Sequence, residues 1–236
     1  MTSRSTRLRR NTKPRRRRTL TTLDAEQRIL DAAAVLFHRQ GFAATGLREI
    51  AAEAGILLGS LHYRFPSKDM LLVRLMERAI DNAIATVRDA IGTTRDPFDR
   101  VRLALGAHLR VLLSGGNAIS VLLYDWRVLQ GEARDAIVRL RDRYEAFWDG
   151  ILYEAAGAGR LRPDLDPRFL RLVGFGAINW VATWYRPAGP MHPEQIADEI
   201  FRMMALGIAS DSARARLTRS KPRDNQRTRR VSSKVR

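Results

Sequence analysis

The chain of 236 residues has no cysteine. That excludes disulfides and thiolate metal sites, and nothing points to an oxidising compartment. Its four histidines, His38, His62, His108 and His192, are far apart and share no ligand spacing, so no metal is expected. There is no nucleophile elbow, no glycine-rich phosphate loop and no paired His-Glu zinc motif. The carboxylates are scattered as on solvated helix faces, so neither an enzyme nor a bound cofactor is expected. Long apolar runs are also missing. The longest, Leu172 to Ala182, falls well short of the ~20 residues that span a bilayer. No apolar segment follows the N-terminal arginines, as a secretory signal would require. The expectation is a soluble cytoplasmic protein without a membrane partner.

Acidic residues are nearly absent from both ends. Residues 1–22 hold nine basic side chains and no acidic one, and residues 210–236 hold ten basic and two acidic. The whole excess of +17 resides there, and residues 23–209 are formally neutral. Both tails lack an apolar period and are expected to be disordered arms. Such arms attract polyanions through counterion release without reading sequence; they equally serve solubility.

What is present is helical. Leu47 to Arg64 reads as a short helix, a tight turn and a second short helix. Ile50, Ala51 and Ala54 share one face of the first piece by three- and four-residue spacing. Gly55 stops it, since glycine takes the left-handed conformation without steric cost. The second piece offers Leu61 and Phe65 to the same small core. Two helices joined by so short a glycine-containing turn form a helix-turn-helix, whose second helix enters the DNA major groove.

Around this unit, Asp24 with Gln27 has capping-box spacing, and Ile29, Leu30, Ala33 and Phe37 predict a first helix closed by Gly41. Ser67 caps a long helix to about Ile91. Asp96-Pro97 opens the next, from Val101 to Leu112, with Pro at the first helical position. Asn117 caps another to about Leu129. A long helix runs from Glu132 to Ala156, a further one from Asp166-Pro167 to about Arg186, and a last one from Pro193 to about Ala209. No stretch alternates with period two for long enough to make a strand. The fold class is all-α with about nine helices. The expected division is a basic arm over 1–22, a helix-turn-helix domain over 23–72 whose linking helix continues to about 91, a ligand-binding and dimerisation domain over 73–209, and a basic tail over 210–236.

Residues Ile29 to Leu72 resemble the DNA-binding domain of the tetracycline-repressor (TetR) family. The matching residues include Ala33, Leu36, Phe37, Gly41, Phe42, Thr45, Arg48, Ile50, Ala51, Ala54, Gly55, Gly59, Leu61, Tyr63, Phe65, Ser67, Lys68 and Leu71. The resemblance implies a homodimeric transcriptional regulator, usually a repressor, released from a palindromic operator by a small molecule bound in its C-terminal domain. Some positions depart from the usual pattern: Gly46 replaces a capping Ser or Thr, Leu57 and Leu58 replace polar residues, His62 replaces Tyr, and Arg64 replaces His. The operator sequence therefore does not carry over. In this register the candidate DNA contacts are Thr45, Arg48, Leu58, Gly59, Ser60, His62, Tyr63, Arg64 and Lys68. Thr45 and Lys68 flank helix N-termini, where hydroxyl, ammonium and free N–H groups suit phosphate. Gly59 lets the backbone approach DNA. Arg48 and Arg64 reach phosphates or guanine edges, and Tyr63 a thymine methyl or a phosphate. Leu57 or Leu58, whichever is exposed, also suits thymine methyls.

From about Val121 to Ile208, the Asn179-Trp180, Trp184-Tyr185-Arg186-Pro187 and Gly189-Pro190 pattern resembles TetR members that control lipid and steroid breakdown. In several of them the effector is an acyl-coenzyme A thioester. An elongated apolar cavity with arginines at its mouth suits such a ligand. The resemblance makes Leu105, His108, Leu112, Leu123, Tyr124, Trp126, Phe147, Trp180 and Trp184 candidate walls and Arg127 a candidate phosphate contact; each also fits ordinary bundle core. The last two helices form the expected dimer surface, through Gly174, Ala177, Ile178, Ile200, Met203 and Met204. The rival reading is a DNA-coating protein acting through its tails, which the neutral core does not favour.

Overall fold

A computed structural model of the chain describes residues 22–114 and 125–206. Among these residues there are eight α-helices, one 3-10 turn and no strand. The helices are α1 (Thr22–Gln40), α2 (Leu47–Ala54), α3 (Leu58–Arg64), α4 (Lys68–Ile91), α5 (Pro97–Ser114), α6 (Gly131–Gly157), α7 (Pro167–Trp184) and α8 (Pro193–Leu206), and the turn is Asp125–Val128. The helix expected from Asn117 lies mostly outside the described residues.

Helix ends follow local chemistry. Ser67 Oγ accepts from the Met70 N–H at the start of α4. Asp96 Oδ1 accepts from the N–H groups of Phe98 and Asp99 at α5, and Asp166 Oδ1 from Arg168 at α7. Each side chain satisfies donors that a first helical turn leaves orphaned. α1 begins two residues before Asp24, which therefore sits in the first turn and not at the cap.

The chain divides into two compact units. The first comprises residues 1–79 and 117–140. Its core gathers Ile29, Leu30, Ala33, Leu36 and Phe37 from α1, Ile50, Ala51 and Ala54 from α2, Leu61 and Phe65, and Leu71, Leu72, Leu75 and Met76 from α4. Leu129 and Ile137 are buried in the same cluster, with Trp126, Ala133 and Leu140 packed against it. This first unit thus takes in more chain than residues 23–72, because the start of α6 contributes to its core. Full burial of one such leucine stabilises by about 1.5–3 kcal/mol. Ion pairs Arg74–Glu26 and Arg78–Asp31, both at 2.8 Å, tie α4 to α1.

The second unit comprises residues 80–116 and 141–236. α5 is its centre, with Val101, Ala104, Leu105, Ala107, His108, Leu109, Val111 and Leu112 buried. α8 packs along α5, joined by a Phe98–Phe201 ring contact at 5.0 Å and an Arg102–Asp198 ion pair at 3.2 Å. From α6 come Trp148, Ile151, Leu152 and Ala155. α7 adds Arg171, Gly174, Ile178 and Val181.

Candidate nucleic-acid interface and effector site

The turn between α2 and α3 is only three residues, Gly55 to Leu57. Gly55 has φ 63° and ψ 42°, the left-handed region. Its N–H donates to the Ala52 carbonyl, and the Ile56 N–H reaches back to Ala51, both at 3.0 Å. This six-to-one closure ends α2 and turns the chain at once into α3. Gly46 precedes α2 without a side-chain acceptor, but Glu49 Oε2 accepts from its N–H at 2.8 Å.

α3 is sharply two-faced. Leu61 is fully buried, Phe65 follows it into the core, and Leu58 packs against the same cluster. The opposite side carries Gly59, His62 and Tyr63, at i, i+3 and i+4, all exposed. Tyr63 is 87% exposed and Leu57 79%, so both side chains are open to a partner. An added Cβ at Gly59 would meet nothing within 4 Å. Arg48 on α2 is exposed and Ser60 is partly so.

Four expected DNA contacts are engaged elsewhere. Leu58 faces the core, and Leu57 is the exposed leucine. Thr45 is 2% exposed, and its hydroxyl donates to the Gly41 carbonyl at 2.8 Å. Arg64 folds back on its own helix, Nη1 donating to the Ser60 carbonyl. Lys68 Nζ donates to the carbonyls of Phe42 (2.6 Å), Ala43 (3.1 Å) and Thr45 (2.9 Å), which occupies all three of its N–H bonds. The ammonium holds the α1–α2 loop in place of an expected phosphate.

The expected effector residues do not gather in one place. Leu105, His108, Leu112 and Phe147 belong to the second unit, but Trp126 packs on the first unit's core, with the Arg127 guanidinium 5.4 Å from its ring. Leu123 and Tyr124 lie outside the described residues. Trp180 and Trp184 are 66% and 48% exposed, so neither walls an internal cavity. Among the described residues a groove of about 970 Å³ opens in the first unit beside Arg64, Met70, Arg74, Gln130 and Arg139, and no expected effector residue lines it.

The polar centre of the second unit is His108. Its Nδ1 lies 2.6 Å from the Tyr144 hydroxyl and its Nε2 3.1 Å from Asn179 Oδ1. With the amide oxygen as acceptor, Nε2 carries the proton and Nδ1 accepts from the tyrosine. Burial lowers the imidazole pKa to about 4, although the Asn179 contact opposes this, and burial raises that of Tyr144. Both are neutral at pH 7. Beside them Arg171, 8% exposed, meets Asp149 at 2.8 Å and Glu145 at 2.7 Å. Burial works against its charge, but the two carboxylates outweigh it and raise its pKa. Tyr144, Trp148, Arg171, Phe175 and Asn179 were not among the expected site residues. Their i, i+4 spacings (144/148, 171/175/179) are the signal that places them together.

On α7 and α8, Gly174 is buried and a Cβ there would approach Met204 Cε to 3.3 Å, a contact within the chain. Ile178 is likewise fully buried in this chain. Gly174 and Ile178 are thus intramolecular packing and not a free surface, while Met204 is half-buried against Gly174. Ala177 and Ile200 are half-buried and Met203 is 50% exposed. The exposed apolar residues of these helices are Phe169, Leu172, Val173, Trp180, Trp184, Met203 and Leu206.

Residues 29–75 match the model of bacterial regulatory proteins of the tetR family, and residues 94–208 match the tetracyclin repressor-like C-terminal domain. The chain belongs to the TetR family. It is a TetR-type transcriptional regulator, with the helix-turn-helix of that family in α2 and α3. Among its TetR relatives, the transcriptional repressor KstR2 of Mycobacterium tuberculosis is 29% identical over 189 residues, which is 78% of this chain and 92% of the relative. The regulator PfmR of Thermus thermophilus superposes with a TM-score of 0.68 at 28% identity, over 78% of this chain and all of the other. AibR, solved with isovaleryl coenzyme A and operator DNA, superposes with a TM-score of 0.68 at 26% identity, over 76% of this chain and 97% of the other.

Proposed function

We propose that the chain is a homodimeric repressor that grips a palindromic operator with two copies of α3 and releases it when an acyl-coenzyme A thioester binds in the second unit. The observation that carries the DNA half is the outward face of α3. A tight turn fixes it, and it presents Tyr63, with Leu57 of the turn beside its first residue, largely to solvent. Tyr63, His62 and Leu57 read base edges and methyls, Gly59 lets the backbone close in, and Arg48 and Ser60 meet phosphates. The exposed strip around Trp180 is the dimer surface; doubling the chain spaces two reading helices for successive major grooves, about 34 Å apart.

The effector class is supported by AibR, the relative solved with both an acyl-coenzyme A and operator DNA. The hydrogen-bonded His108–Tyr144–Asn179 chain supplies the few fixed polar groups that an otherwise apolar ligand site needs. α4 begins in the first unit and ends in the second as one continuous helix. A ligand that binds better to one position of α4 shifts the population toward it, and with it the separation of the two α3 helices. Fluorescence anisotropy on a duplex selected in vitro for tight binding tests the reading. The complex should dissociate on adding a long-chain acyl-coenzyme A and not on adding coenzyme A alone. A complex indifferent to every acyl-coenzyme A sinks the effector half.

A further inference from the structure

Three rings of the second unit lie nearly parallel. His108 stacks on Phe175 at 5.3 Å and 6°, and Phe175 on Tyr144 at 5.8 Å and 21°. The Trp148 indole stands close to perpendicular to all three, 5.8 Å from His108, 5.2 Å from Phe175 and 6.5 Å from Tyr144. Most of the polar atoms here form one chain, from the Tyr144 hydroxyl through His108 to Asn179. One donor is left over. Trp148 is 2% exposed, and its Nε1–H has no hydrogen-bond partner. It lies near enough to the Tyr144 hydroxyl to favour the phenolate slightly, yet without the geometry of a hydrogen bond. Among the described residues, the other buried side-chain N–H groups outside hydrogen-bond geometry belong to arginines, and those of Arg78 and Arg171 face carboxylates in ion pairs. A buried, neutral N–H without an acceptor is rare in a native structure and calls for a specific reason.

We propose that the Trp148 indole N–H receives the acyl carbonyl oxygen of the effector. This rests on the small-molecule reading above and gives it a contact. Tyr144, Phe147, Phe175 and Asn179 are each only half-buried, so the cluster reaches the surface of its unit. The groups around the donor suit a neutral acceptor. His108 is uncharged, and the Arg171 guanidinium, 6.0 Å from the Phe175 ring, is already held by Asp149 and Glu145. A free carboxylate would be desolvated here without a counter-ion, whereas a thioester carbonyl needs one donor. The site therefore takes the thioester in preference to the free acid.

The test compares isovaleryl-, octanoyl- and stearoyl-coenzyme A by calorimetry on the full-length protein. The tightest of them is then set against its S-alkyl thioether, which keeps the chain and the coenzyme but lacks the carbonyl. The parent should bind the thioether about tenfold more weakly, one hydrogen bond's worth. Trp148→Phe should bind the thioester about tenfold more weakly than the parent and no longer distinguish the two ligands. In the parent alone, the hydrogen-bond-sensitive indole band in ultraviolet resonance Raman spectra should shift with the thioester and stay put with the thioether, a readout independent of whether the variant folds. Equal affinity for thioester and thioether, or an unmoved band, overturns the assignment and leaves the effector reading standing. No measurable affinity for any of the three thioesters overturns both.

Discussion

Lys68 Nζ donates to the Phe42 carbonyl at 2.6 Å while sitting 4.5 Å from the centroid of the Phe42 ring. The same ammonium collects the Ala43 and Thr45 carbonyls, so one side chain closes the loop that leads into α2. Lys68→Met keeps the stem and removes the donors. It should lower stability by about 1–3 kcal/mol, as charged hydrogen bonds in a half-buried place do, and weaken operator binding indirectly. The discriminating measurement is the slope of log affinity against log salt. It should be unchanged in the variant; a slope shallower by about one would mean that Lys68 neutralises a phosphate after all.

Gly55 turns α2 into α3 at φ +63°, where an L side chain is strained. A Cβ there would also come within 2.6 Å of Arg28 Nη2, though that is the mobile end of a long side chain and can shift. Backbone strain therefore sets most of the effect. Gly55→Ala should cost about 1–2 kcal/mol in chemical denaturation and reduce operator affinity by loosening the angle of α3. A variant as stable as the parent would contradict the assigned turn.

His108 should make stability depend on pH. Burial holds its folded pKa at about 4, below the 6.5 of an exposed imidazole. Between these values the unfolded chain binds a proton that the folded chain does not. The contribution is thus fully present above pH 6.5 and is lost as pH falls toward 4, on the order of 3 kcal/mol over the window. Melting temperatures of the parent and His108→Gln should converge as pH drops from 7 to 4.5. Parallel curves would show that His108 is protonated in the fold.

Much of this was legible in the residues. Ser67, Asp96 and Asp166 announce their helices because a short acceptor before a helical run has few other uses. Leu61, Phe65 and Gly55 identify the reading unit because spacing and a single glycine suffice. The misplaced residues share a physical cause. A tryptophan on a helix looks the same in sequence whether it faces its own core or open surface, and the fold turns Trp180 and Trp184 outward. Trp126 is close in sequence to the second unit's helices but packs with Leu129 and Ile137 in the first. Lys68 and Thr45 have the chemistry of phosphate ligands, and only the folded loop shows that carbonyls reach them first.

The strip around Trp180 gives a fourth expectation. With Phe169 at 61% and Leu172 at 60% exposure beside it, the face is too apolar to stay bare in water. Trp180→Asp should leave the helices intact by circular dichroism, yield a monomer in sedimentation, and reduce affinity for a palindromic duplex by about 100-fold or more, since two half-sites then bind independently. A variant that remains dimeric would move the interface elsewhere.

The central claim is that α3 reads DNA through the side chain it exposes most. A duplex selected for tight binding to the parent, titrated with Tyr63→Ala at matched salt, tests it most directly. Tyr63 makes no core contact, so the variant should melt with the parent while its affinity falls about 10- to 100-fold, the loss of one direct base or phosphate contact in each half-site. An equally stable variant that holds the same duplex as tightly as the parent would contradict the account.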